Sequence, residues 1–173
     1  MLNKIILTTL VLISAPFTNA QSAELKVGDQ APLFITKTQD GNDFDLSSRK
    51  GKWTVLYFYP KASTPGCTKQ ACGFRDHIEA IRKLNAEVYG VSYDSIADQS
   101  RFHKAQHLNF TLLADDHGKI ISQYGTKIPV VGISKRWTFI IDPTLQIRSI
   151  DKDVDPVMDA KKVASTIQSL SSP

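Results

Sequence analysis

Tyr57-Phe58-Tyr59-Pro60-Lys61-Ala62-Ser63-Thr64-Pro65-Gly66-Cys67-Thr68-Lys69-Gln70-Ala71-Cys72 decides how the rest of this chain is read. An apolar run stops at a proline. A short polar turn follows, and Thr64-Pro65-Gly66 leads into a cysteine that opens a helical pattern. A thiol placed there lies where unpaired backbone N–H groups stabilise its anion. Only two cysteines occur in 173 residues, five positions apart.

Upstream of this stretch, Trp53 to Tyr59 is a continuous β-branched and aromatic run, the pattern of a strand buried on both faces. Downstream, Ala71, Phe74, Ile78, Ile81 and Leu84 form one stripe, so Cys67 to Asn85 is predicted to be a helix. Glu87 to Ser92 is a second strand. Asp94 and Ser95 can cap a helix running to about His107. Phe110 to Leu113 is a strand, Lys119 to Tyr124 a brief helix, and Trp137 to Ile141 and Gln146 to Ile150 two more strands. Asp155, with Pro156 in the first helical position, opens a last helix that buries Val157, Ala160, Val163, Ile167 and Leu170. Before all of these, Ala31 to Thr36 and Asp43 to Leu46 flank the turn signal Asp40-Gly41-Asn42 and predict an N-terminal β-hairpin.

The order ββ, then β-α-β-α-β-α-β-β-α, predicts an α/β protein with a central mixed sheet and helices on both faces. A cysteine at the first strand-to-helix junction of such a sheet makes the arrangement thioredoxin-like. The length suits one domain with a real core. The formal charge of +4 is spread out, without a Lys/Arg cluster interleaved with aromatics, so no nucleic-acid partner is expected.

The first twenty residues read as a cleavable signal peptide. Lys4 supplies a short positive region, Ile5 to Ala15 is apolar apart from Thr8, Thr9 and Ser14, and Thr18-Asn19-Ala20 is a small-x-small cleavage pattern. The domain is therefore expected over 21–173. The apolar run falls short of the roughly 20 residues of a membrane-spanning helix; an uncleaved anchor is the alternative. Export, with a bacterial periplasm as the destination, implies an oxidising compartment. Two cysteines there are ordinarily a static disulfide.

Geometry argues against a static bond. Five helical residues give a rise of about 7.5 Å and a rotation of about 140°, hence a Cα separation of roughly 8.7 Å. A disulfide needs no more than about 6.8 Å. Bonding Cys67 to Cys72 therefore requires the first turns of the helix to unwind. The loop is also too short to restrict the unfolded chain much.

Pro60, Thr64 and Cys67 match the peroxiredoxin active-site pattern: proline, three residues, threonine, two residues, cysteine. The string Tyr59 to Cys72 closely resembles the bacterioferritin-comigratory-protein (PrxQ) branch, whose members commonly carry a second cysteine where Cys72 stands. The similarity continues through Phe74-Arg75-Asp76, Gly90 to Ser95, Phe110 to Asp115 and Arg136 to Asp142. It implies a thiol peroxidase that reduces hydrogen peroxide and organic hydroperoxides. Cys67 would attack one peroxide oxygen and become a sulfenic acid, and Cys72 would resolve it to an intrachain disulfide. The resemblance also implies that Arg136 is the cation beside the sulfur. Thr64 would exchange hydrogen bonds with sulfur and peroxide, Pro60 would shield the thiolate, and the N–H groups of Gly66 and Cys67 would bind peroxide oxygens. It calls for no metal or cofactor. The leader suggests a thioredoxin-like or other dithiol reductant in the same compartment, and an intrachain resolving cysteine removes the need for a dimer, so a monomer is expected. Two departures from the branch are the leader and Asp159, where relatives often have histidine; neither is expected to touch the catalytic set.

Two other functions compete. A thiol–disulfide oxidoreductase acting on proteins ordinarily needs C-x-x-C at the helix start. A metal-binding module of the same fold is disfavoured by sulfurs splayed apart on a helix. His103 and His107, four apart, lack a visible third ligand, and Arg75-Asp76 reads as a local ion pair.

Overall fold

The computed structural model describes residues 24–172. The predicted leader lies outside them. Twelve elements follow in order: β1 (Ile35–Thr38), β2 (Asp43–Asp45), a single 3-10 turn (Leu46–Arg49), β3 (Trp53–Phe58), α1 (Pro65–Arg82), β4 (Ala86–Ser92), α2 (Ile96–Ala105), β5 (Thr111–Ala114), α3 (Lys119–Gln123), β6 (Trp137–Ile141), β7 (Ile147–Asp151) and α4 (Asp159–Ser171). The strands form one seven-stranded sheet in the order β2-β1-β5-β4-β3-β6-β7.

The central strands β3, β4 and β5 run parallel, because helices cross over between them. The flanking pairs are antiparallel: β3 with β6, β6 with β7, β1 with β2 and β1 with β5. The sheet is thus mixed, and the predicted N-terminal hairpin forms between β1 and β2. All six residues of β3 are buried. Its side chains alternate between two cores. Val55 and Tyr57 join Ala71, Phe74, Ile78, Val163 and Ile167 beneath α1 and α4. Leu56 and Phe58 join Ile120, Ile121 and Tyr124 on the α3 side. Helices therefore cover both faces.

Gly90 in the middle of β4 answers to a packing constraint. A methyl group there would lie 2.6 Å from the Tyr57 ring and 2.8 Å from Leu112. Its absence lets the Tyr57 ring lie flat against Phe74 of α1, with centroids 4.8 Å apart.

Two expectations at the C-terminus are corrected. The last helix begins at Asp159, not at Asp155. Asp155 instead closes a separate turn: its Oδ1 accepts from Val157 N–H at 2.8 Å, and its carbonyl accepts from Met158 and Asp159 N–H. That turn points Val157 outward, 60% exposed rather than buried. The expected helix face is otherwise present in Ala160, Val163 and Ile167, with Leu170 packed at its margin.

Candidate active site

The cleft-forming loop runs from Pro60 to Thr64, between β3 and α1. Asp94, just past β4, holds it: Asp94 Oδ2 accepts from Ala62 N–H at 2.8 Å and from Ser92 Oγ at 2.7 Å. Ser63 takes a left-handed backbone conformation, φ 62°, uncommon for a residue with a side chain. Thr64 is the N-cap residue of α1 and Pro65 fills its first position, where a missing N–H costs nothing. The Thr68 N–H bonds back to the Thr64 carbonyl at 2.9 Å. The N–H groups of Gly66 and Cys67 precede it, at the positive end of the helix.

Cys67 is 1% exposed. Its sulfur sits 3.4 Å from Nη2 of Arg136, the residue just before β6. The antiparallel pairing of β3 with β6 sets Phe58 opposite Trp137, which carries Arg136 to the start of α1. Gly66 leaves room for it, since a methyl there would meet Arg136 Nη2 at 3.2 Å. The expected thiol, cation and free amides are therefore brought together. Pro60 borders a cleft of about 350 Å³ with Lys61, Tyr93, Asp94, Ser95 and Ile133; Cys67, Thr64 and Arg136 do not line it.

Thr64 departs from expectation in one respect. Its hydroxyl donates to the Lys61 carbonyl at 3.0 Å, so its proton is committed and its oxygen is left as an acceptor. It makes no side-chain cap for the helix.

Cys72 and Cys67 are both free thiols in one continuous helix. Cys72 is half-buried and faces away, toward Gln106 Oε1 of α2's C-terminus at 3.7 Å. The nearby Arg75 pairs with Asp76 at 2.8 Å, as expected, and also donates to the Gln106 carbonyl at 2.8 Å. His103 Nε2 lies 3.1 Å from the Phe110 carbonyl. The ammonium groups of Lys135 and Lys152 lie over the ring of Trp137, beside Arg136, at 4.8 and 4.7 Å from its centroid.

Two residues around Arg136 escaped the sequence reading. Gln70, fully buried, accepts from Arg136 Nη1 at 2.6 Å through Oε1 and donates through Nε2 to Asp159 Oδ2 at 2.7 Å. Thr138 Oγ1 donates to the same oxygen at 2.8 Å. Asp159 bonds to none of Pro60, Thr64, Gly66, Cys67, Cys72 and Arg136, but it is joined to the Cys67 sulfur indirectly, through Gln70 and Arg136. Burial pushes the Asp159 carboxyl up to about 6, against the hydrogen bonds from Gln70 and Thr138. Gln70 had a visible signal, a polar side chain one helical turn after Cys67 on the inward face. Asp159 had none beyond its departure from the resembled pattern.

The comparisons with known proteins agree with this geometry. A family model described as the AhpC/TSA family matches residues 27–150, and the chain belongs to that family. Its named relatives are peroxiredoxins of the Q and Bcp type. It is 42% identical over 130 residues to "Peroxiredoxin Q, chloroplastic" of Populus jackii, covering 75% of this chain and 61% of the relative. It is 40% identical to "Putative peroxiredoxin bcp" of Coxiella burnetii, covering 68% and 82%. Among solved structures, peroxidoxin BcpB from Mycobacterium tuberculosis superposes with a TM-score of 0.81 at 32% identity, over 86% of this chain and 100% of that one. The chain spans about three fifths of the length of the first two chloroplastic relatives.

Proposed function

We propose that this protein is a thiol-dependent peroxidase acting on hydrogen peroxide and organic hydroperoxides. The observation that carries the reading is the guanidinium 3.4 Å from a sulfur in the first turn of a helix. The Cys67 thiolate attacks one peroxide oxygen, and the O–O bond breaks with its electron pair leaving on the far oxygen. Arg136 and the N–H groups of Gly66 and Cys67 stabilise that developing hydroxide or alkoxide, which takes up a proton and departs as water or alcohol. Cys67 is left as a sulfenic acid. The thiolate of Cys72 then attacks its sulfur, and hydroxide leaves as water once protonated. A dithiol reductant of the thioredoxin kind restores both thiols. Thr64 offers its oxygen to the peroxide proton, and Pro60 shields the thiolate.

The finer parts of the proposal are that residues 1–20 direct export to the periplasm and are removed, that the mature chain is a monomer without membrane insertion, and that its reductant shares that compartment. The leader composition and the intrachain position of Cys72 support them. The test is peroxide-dependent loss of both thiols in the reduced, metal-free protein, with one peroxide consumed per pair. Cys67→Ser is expected to abolish consumption; full turnover by that variant would overturn the assignment.

A further inference from the structure

Arg136 is a long, flexible side chain, and its effect on the sulfur depends on where its guanidinium is held. One nitrogen faces Cys67 and the next faces Gln70. The Gln70 amide has two unlike ends, an acceptor and a donor. Arg136 carries only donors and needs the acceptor end. An isolated amide could present either end; here the far side is occupied by Asp159, which at neutral pH offers only acceptors and takes the donor end. From these contacts we propose that Asp159 is a positioning residue for Cys67, acting through the orientation of the Gln70 amide on the guanidinium of Arg136.

The placement of Asp159 supports the role. It is 2% exposed at the start of α4. Its Oδ2 takes hydrogen bonds from α1, which carries Cys67, and from Thr138 on β6, two residues beyond Arg136. Its Oδ1 is buried with no partner, so a carboxylate is kept here at a cost in desolvation. The other charged groups nearby, Lys162 on its own helix and Asp151 on β7, pair with each other at 2.6 Å. Gln70 and Thr138 are the side chains bonded to Asp159, and of the two Gln70 leads on to the guanidinium.

The sign of its effect on Cys67 separates this role from a plain charge effect. Removing a negative charge near a sulfur favours the thiolate. Removing the relay lets Arg136 swing away and disfavours it. The experiment measures iodoacetamide alkylation of Cys67 against pH on the full chain, in a Cys72→Ser background that leaves one thiol, with thermal melting recorded alongside. Asp159→Ala is expected to move the midpoint of the alkylation profile upward by about half a pH unit or more, a threefold loss of thiolate below the midpoint. Asp159→Asn keeps an acceptor toward Gln70 and is expected to restore the native midpoint or fall below it. Gln70→Ala is expected to match Asp159→Ala, and the double variant to shift no further than either single, because all three cut one chain. An unchanged or lowered midpoint in Asp159→Ala, or additive shifts, would overturn the proposal. Should Asp159→Ala not fold, Gln70→Ala carries the same test, and an unshifted midpoint there overturns it equally. Only the relevance to turnover rests on the peroxidase reading. If even the native protein fails to consume peroxide, that reading falls while the alkylation profiles still decide this one.

Discussion

Arg136 places its Nη2 3.4 Å from the sulfur of Cys67 although 69 positions separate them in the chain. The sheet makes this contact, through antiparallel pairing of β6 with β3, and a second contact, from Nη1 to Gln70 Oε1 at 2.6 Å, anchors the guanidinium. Arg136→Met removes both the cation and the donor to a departing oxyanion. The rate of Cys67 oxidation by hydrogen peroxide should fall about 100-fold or more, the range seen when one such donor is lost. Stopped-flow measurement of the first oxidation step checks this; a loss below tenfold would argue that the amides alone carry the charge.

Cys72 rests against Gln106, on the far side of α1 from Arg136. Joining it to Cys67 must open the helix, since about 8.7 Å separates the two Cα positions in regular helical geometry. Oxidation by one equivalent of peroxide should therefore weaken the helical circular dichroism signal and speed amide exchange over residues 65–72, reversibly with a dithiol. Cys72→Ser should react once, retain its helix, and on further peroxide gain the mass of two oxygens as a sulfinic acid. A helix unaffected by disulfide formation would contradict the geometry.

Gly90 is expected to tolerate no side chain. With a methyl 2.6 Å from Tyr57 and 2.8 Å from Leu112, Gly90→Ala must displace a ring that is stacked on both Tyr59 and Phe74. Overpacking of this kind costs about 1–3 kcal/mol. Urea unfolding measures it; an undiminished midpoint would mean that the ring has free space to move.

Asp159 makes stability depend on pH in a direction opposite to the usual carboxylate. Its folded value, near 6, lies above its ordinary 3.8 because of burial. The group therefore favours the folded state while protonated, and that contribution is lost as pH rises from about 4 through about 6, by up to about 3 kcal/mol. Asp159→Asn cannot ionise. Its melting temperature relative to the native protein should accordingly rise between pH 4 and pH 7 and level off above. Calorimetry at several pH values tests this, and a difference that does not vary with pH would contradict it.

Much of this was legible in the chain. The buried apolar run of β3, the stripe of α1 and the alternation of elements lead directly to the sheet, and Pro60, Thr64 and Cys67 mark the loop. What was not legible depends on three-dimensional partners. Asp155-Pro156 carries the marks of a helix start, yet its own side chain and carbonyl close a turn first. Thr64 looks free to donate, but the fold of its loop presents the Lys61 carbonyl. Gln70 and Asp159 are 89 positions apart, and no local pattern relates them; only the packing of α4 on α1 does.

Trp137 adjoins the site, next in sequence to Arg136 and flanked by Lys135 and Lys152. The emission of an indole responds to the distance of ammonium groups held over its ring. A shift of Arg136 or of the segment around it is expected to change those two contacts. Trp137 is thus expected to act as an optical gauge: in a Trp53→Phe background, which leaves it the one emitting indole, its fluorescence should change as the sulfur is oxidised, with no dye attached.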